Sequence, residues 1–256
     1  MEVFYYIMFF IIGTCFGSFY NLCGLRIPKG KSINKPNSHC DNCNHSLKWY
    51  ELIPIFSYIF LKGKCKNCKT KLSLLYPFTE IATGLLFLVS FHSFGFSLDL
   101  IISLTLVSTF ILIIVSDLNY LLIPDRFIII PSIIIFIVSI INIGIVDSLI
   151  QLGYGIISFI IMYIIMLLGN KLFGKESLGG ADIKLMFLVG LVLNPMLSII
   201  VIFLASFIAL PVSMYLLFKN KEHVVPYGPF LMIGLLIVYF LKMDIIEIFN
   251  HVLDLF

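Results

Sequence analysis

Apolar positions gather into long unbroken stretches near residues 3–24, 76–94, 98–116, 127–145, 148–168, 183–193, 196–218 and 227–243, separated by short polar or glycine-containing breaks. Most of these approach the roughly 20 residues that a helix needs to cross roughly 30 Å of hydrocarbon. The pattern predicts about eight membrane helices, with the sixth too short to span alone. A membrane barrel would need strict in/out alternation, and runs such as Ile128-Ile129-Ile130 and Ile133-Ile134-Ile135 have none. The first stretch lacks a basic n-region and a small-residue cleavage site and runs into Gly13 to Ser18, so it reads as a retained first helix.

Composition places the chain in a bilayer: of 256 residues, 60% are apolar and 12% charged, with a mean hydropathy of +1.08. The fold class expected is an all-α polytopic membrane protein. Charge supplies the orientation. Ten of the 17 Lys and Arg lie between Arg26 and Lys71. Alternating sides from there puts Arg126, Lys171, Lys175, Lys184, Lys219 and Lys221 on the same face and only Lys242 opposite. The positive-inside rule makes that face cytoplasmic, with the 117–126, 170–182 and 219–226 loops on it and both termini external. The net charge of +3 therefore conceals a strongly basic cytoplasmic face. Such a face favours anionic lipid headgroups; nucleic acid is not an expected partner, since no aromatic-basic interleaving accompanies the charge. Three parts follow: a first membrane helix (1–24), a cytoplasmic insert (25–74) and a helix bundle (75–256).

The insert carries Cys40-x-x-Cys43 and, 21 residues on, Cys65-x-x-Cys68. In a reducing cytoplasm this spacing reads as one tetrahedral zinc site, because each C-x-x-C turn presents two thiolates to a single metal. Two redox pairs or idle thiols are the alternative. His39 and His45 are potential competitors but read as bystanders beside four cysteines. Between the pairs, Trp49 to Leu61 is apolar yet only 13 residues long and contains Glu51 and Pro54. That length fits an interfacial or re-entrant segment. Cys15 and Cys23, in the first helix, read as small packing residues.

Carboxylates at membrane depth are costly and point to function. Asp99 and Asp147 map to external helix ends, and Asp244, Glu247 and Asp254 to the external tail, where solvation explains them. Glu80 falls in the first turn of the second helix, where the helix dipole favours it and where it could line a site. Asp117 closes the third helix, where the dipole opposes a carboxylate. Asp182 opens the short sixth helix after Gly179-Gly180-Ala181, and from there to Leu193 is roughly 18 Å of helix, too little to cross the hydrocarbon. Asp182 is thus expected in a water-admitting recess on the cytoplasmic side, with Gly179 and Gly180 able to turn tightly beside a partner chain. Two carboxylates at similar depth can share a proton and hydrolyse a peptide bond without a covalent intermediate. An ion- or proton-coupled transporter needs membrane carboxylates too, though near the midplane between repeats. A zinc-stabilised scaffold without chemistry has no use for them.

Six separated motifs carry a resemblance. They are Gly17-Ser18-Phe19-x-Asn21 followed by Arg26-Ile27-Pro28; the two cysteine pairs enclosing Trp49-Tyr50-Glu51-x-Ile53-Pro54; Tyr76-Pro77-x-x-Glu80; Asp117 with Ile123-Pro124-Asp125; Gly179-Gly180-Ala181-Asp182-Ile183-Lys184; and Pro226-Tyr227-Gly228-Pro229-Phe230. In order and spacing the chain resembles the type IV prepilin peptidase family over nearly its whole length. The resemblance implies that Asp117 and Asp182 are the catalytic pair of a membrane-embedded aspartic protease, with Asp125 and Lys184 among residues lining the site. Ala181 stands where the family's G-x-G-D pattern commonly has glycine. The resemblance further implies cleavage of a short basic leader from prepilin or pseudopilin precursors in the bacterial cytoplasmic membrane, then methylation of the new amino terminus with S-adenosylmethionine. No Gly-rich loop or other methyl-donor site is legible in the residues themselves.

Overall fold

The computed structural model describes residues 2–174, 178–218 and 226–241. Lys175, Ser177, Lys219, Lys221, Lys242, Asp244, Glu247 and Asp254, with the 219–225 loop and part of the 170–182 loop, lie outside the described residues. The chain divides into two compact units, Met1–Tyr120 and Leu121–Phe256.

In the first unit, α1 (Glu2–Arg26), α3 (Leu75–Phe94) and α4 (Leu98–Tyr120) pack together, and the segment between α1 and α3 holds the short helix α2 (Phe56–Phe60). In the second, α6 (Ile145–Phe173) packs on α5 (Arg126–Ile143), α7 (Gly180–Val192) and α8 (Pro195–Phe218), and α9 (Gly228–Leu241) lies against α8 and α7. All eight sequence-predicted helices are present within a few residues of their expected limits. Among the described residues, six are long and apolar enough to cross a membrane: α1, α3, α4, α5, α6 and α8. The 13 residues of α7 and 14 of α9 span only about 20 Å each. The chain is a multi-pass helical membrane protein.

Apolar matter does not drive helices together in hydrocarbon, so close backbone approach and hydrogen bonds must. Gly13 and Gly17 of α1 face α3 so closely that a Cβ at Gly13 would lie 2.8 Å from the Gly84 Cα, and one at Gly17 would lie 2.9 Å from the Glu80 Cα. Tyr20 donates to Ser108 of α4 at 2.6 Å, and Ser103 of α4 to Ser90 of α3 at 2.8 Å. Near one end of this unit, Phe9 stacks on Phe91 with ring centroids 4.5 Å apart, and Leu100 completes the buried cluster. In the second unit a Cβ at Gly190 of α7 would meet Ser158 and Tyr154 of α6, while Ser158 donates to Ser198 of α8 at 3.0 Å.

Candidate active site and metal centre

Two similar turns build the four-cysteine centre. In the first, the Cys40 N–H donates to the His45 carbonyl and the Asn44 N–H returns to Cys40; in the second, Cys65 donates to Thr70 and Lys69 returns to Cys65. Each turn passes through the left-handed region directly after its second cysteine, at Asn44 (φ 54°) and Lys69 (φ 60°). Each is closed by a bridge, His39 to Ser46 and Lys64 to Lys71. The reversals aim all four thiols at one point. Cys40 Sγ lies 3.7 Å from Cys68 Sγ, and Cys43 Sγ lies 3.9 Å from Cys65 Sγ. All four sulfurs fall within 4.8 Å of one another. A metal with four thiolates at about 2.3 Å needs sulfurs about 3.8 Å apart along a tetrahedral edge, so the set fits a zinc-like ion. The same separations leave all four cysteines free of disulfides.

Polar neighbours tune the sulfurs. The Thr70 hydroxyl, 3.2 Å from Cys68 Sγ, and the Thr70 backbone pull the Cys68 thiol down to about 5. Asn42 donates to Thr70 Oγ1 at 2.8 Å and so holds that hydroxyl in place. Cys40 is pushed up to about 11: backbone N–H groups of Asn42 and Cys43 lower it, but burial and the adjoining thiols of Cys65 and Cys68 outweigh them. The histidines are committed elsewhere, His39 to the Asn37 carbonyl at 2.8 Å and His45 to Glu51 at 3.4 Å. Glu51, buried at 6% exposure, also accepts from the Lys48 N–H at 2.8 Å. That backbone N–H first, and His45 second, hold its carboxyl below the ordinary range despite burial. Thr70 and Asn42 were not singled out from sequence, and Glu51 stood out there only as an acid inside an apolar stretch and a member of the Trp49-Tyr50-Glu51-x-Ile53-Pro54 motif.

The membrane carboxylates are each built by their own unit. Asp117 sits in the last turn of α4, 6% exposed, and the helix runs one turn past it to Tyr120. That turn is held by Asn119 donating to the Val115 carbonyl at 2.7 Å and by Tyr120 donating to the Leu25 carbonyl at 3.3 Å. Beside it, Gly24 of α1 lies so near Val115 that a Cβ would come within 2.7 Å of the valine side chain. Asp182 occupies the first turn of α7, 8% exposed, with Gly179 at the cap. Its carboxylate folds back over that cap: a Cβ at Gly179 would lie 3.1 Å from Asp182 Oδ2. Glycine at 179 therefore provides room for the acid. Gly180, by contrast, has open space where a side chain would go. The α7 dipole favours charge at Asp182, whereas the α4 dipole opposes it at Asp117.

Asp125 and Lys184 meet in the second unit. The Lys184 ammonium lies 2.7 Å from Asp125 Oδ1, and both side chains are more than half exposed. The pair borders a recess of about 420 Å³ whose other walls are Ile128, Ile129, Ile156, Phe159 and Phe187. Glu80 is placed otherwise than expected. It lies in the second turn of α3, and its Oε2 accepts from the Ile55 N–H in the insert at 2.7 Å.

These features define a polytopic helical membrane protein with a four-thiol centre and buried carboxylates at two helix ends. Residues 11–94 match the Bacterial Peptidase A24 N-terminal domain, and residues 104–214 match the Type IV leader peptidase family. Relatives called prepilin leader peptidase/N-methyltransferase include one from Myxococcus xanthus, 34% identical over 72% of this chain and 55% of its own length, and one from Bacillus subtilis, 43% identical over 47% and 48%. Another, from Stutzerimonas stutzeri, is 30% identical over 81% of this chain and 73% of its own. The chain belongs to the prepilin leader peptidase/N-methyltransferase family. It spans about half the length of the Myxococcus and Bacillus relatives. No solved structure matches it. The comparisons give a coupled transporter no support.

Proposed function

We propose that this protein cleaves the leader from type IV prepilin-like precursors with Asp117 and Asp182 acting as one pair, and then methylates the exposed amino terminus. The observation that carries the reading is that both acids are buried at helix ends inside the stretch matched by the leader peptidase family. In the reaction the ionised carboxylate takes a proton from water as the water oxygen attacks the scissile carbonyl carbon, and the protonated partner gives its proton to the carbonyl oxygen. Collapse of the resulting diol breaks the C–N bond, and a proton passes to the leaving nitrogen. Asp125 and Lys184 would line the site, and Gly179 leaves the Asp182 carboxylate space to turn. Cys40, Cys43, Cys65 and Cys68 would hold a structural zinc, whose binding supplies folding energy to a segment too small for its own core. S-adenosylmethionine would supply the methyl group. The basic insert faces the cytoplasm beneath the anionic surface of a bacterial inner membrane.

Purified Asp117→Asn, Asp182→Asn and double variants, incubated with a precursor and followed by mass spectrometry of the new amino terminus, test the pairing. Each single variant should lose nearly all cleavage, and the double should be hardly worse, because residues acting as a unit are non-additive. Methylation of an already cut substrate should survive. Substantial cleavage by either single variant, with folding verified, refutes the mechanism.

A further inference from the structure

The insert carries an apolar ridge that the described residues leave uncovered. Trp49 is 76% exposed, Phe56 60%, Ile59 62% and Phe60 80%, with Leu52 and Ile53 beside them. Phe56, Ile59 and Phe60 share one face of α2, at i, i+3 and i+4. Tyr58, on another face, is turned inward, donating to the Leu72 carbonyl at 3.3 Å. So many large apolar groups outside a spanning helix need a covering medium.

Two observations identify the medium. The ridge is fastened to a membrane helix: Ile55, at its centre, adopts φ 63° and ψ −55°, a costly conformation for a β-branched residue, and its N–H is held by the buried Glu80 carboxylate of α3. Close to that fastening, Leu74 (74% exposed) and Phe78 (62%) at the start of α3 continue the apolar exposure. The charge is also one-sided. Lys48 and Lys62 bracket the ridge, Lys64, Lys66, Lys69 and Lys71 follow, and the one acid between residues 46 and 74 is the buried Glu51.

We propose that the Trp49–Phe60 ridge is an interfacial anchor that beds the four-cysteine insert into an anionic lipid surface. Its aromatic and aliphatic side chains enter the boundary between headgroups and acyl chains, the flanking lysines contact lipid phosphates, and Glu80 fixes the ridge at the depth where α3 begins. This deepens the reading that the basic insert lies against the membrane and does not depend on the two-aspartate chemistry.

Trp49 is the only tryptophan in the chain, so its emission reports on the ridge without background. Full-length protein is reconstituted into phosphatidylcholine vesicles with or without phosphatidylglycerol, including lipids brominated near the headgroup end of the acyl chain. The expected result is a blue-shifted Trp49 emission, mostly lost to brominated lipid, poorly reached by aqueous acrylamide, and less lipid-quenched when phosphatidylglycerol is omitted. A Phe56→Ser/Ile59→Ser/Phe60→Ser variant that keeps its metal should regain acrylamide access. Trp49 that stays open to acrylamide and untouched by brominated lipid overturns the proposal. So does shielding that appears only as the protein-to-lipid ratio rises, which marks a second copy, or only on adding a precursor peptide, which marks a peptide groove. Asp182→Asn protein should show the same lipid quenching, which separates failure of the anchor from failure of the peptidase reading.

Discussion

Gly190→Ala should impair cleavage although it touches no charged group. A Cβ at this position would stand 2.5 Å from the Tyr154 carbonyl oxygen and 2.6 Å from Ser158 Cβ, where ordinary contact begins at 3.4 Å. The Ser158 hydroxyl can rotate away, but the Tyr154 carbonyl is backbone of α6 that no rotamer change moves, so α7 must move by about 1 Å. Alanine gains about 1 kcal/mol in helix propensity over glycine. Overpacking of this kind costs about 1–3 kcal/mol, so the net effect is destabilising. The larger consequence is catalytic. Gly190 lies eight residues along α7 from Asp182, the proposed catalytic acid, and a 1 Å misplacement of a reacting group costs on the order of 100-fold in rate. Cleavage of a precursor by purified protein, timed by mass spectrometry, should slow by about that factor, with a modest fall in thermal midpoint in detergent. Gly153→Ala on α6 is the control, since nothing lies within 4 Å of its Cβ position. It should retain full rate and equal or greater stability. Adding Ser158→Ala to Gly190→Ala should restore activity only in part, because the Tyr154 carbonyl remains. Full rate and an unshifted midpoint for Gly190→Ala would refute the claim that α6 fixes the position of α7.

Three further outcomes are expected. Cys40→Ser should abolish bound metal in elemental analysis and expose the 25–74 insert to limited proteolysis while leaving the helical circular dichroism nearly unchanged. Because the folded-state carboxyl of Glu51 is held low, its contribution to insert stability is fully present above the unfolded pKa of about 4.3 and lost as pH falls through the folded value. Glu51→Gln should therefore be more protease-sensitive than wild type at neutral pH, and the gap should close under acid; a gap that widens on acidification contradicts this assignment. Lys184→Met, which breaks an ion pair with both partners more than half exposed, should cost no more than about 1 kcal/mol in thermal unfolding, so a large loss of cleavage would mark a role in the proposed site and not in stability.

The helices were legible because length and apolarity alone announce a span. Their ends were less so: α4 reaches Tyr120 instead of stopping near residue 116, because Asn119 and Tyr120 find carbonyl partners that hold one more turn. The four thiols were legible because C-x-x-C spacing is local chemistry. Glu80 was not, since its partner is the Ile55 amide 25 residues away and the helix dipole offered a sufficient local reason. Glu51 was hidden likewise, its role depending on a turn that brings Lys48 and His45 to one carboxylate.

What the apolar pattern conceals is which face of each span meets its neighbour, because lipid and protein interior are equally apolar. The small and hydroxylated residues carry that information. Gly13, Gly17 and Gly24 let α1 approach α3 and α4 at backbone distance, and Gly155 and Gly190 do the same between α6 and α7. Ser90 with Ser103, Tyr20 with Ser108, and Ser158 with Ser198 then fix register through hydrogen bonds. Such contacts tolerate no added methyl group, so they impose one arrangement where greasy side chains would permit several. Gly24 against Val115 lies two residues from Asp117, and Gly190 anchors the helix that begins beside Asp182. Each acid thus hangs on a helix positioned by close glycine contact, the rigidity that the proposed activation of water by the pair would require.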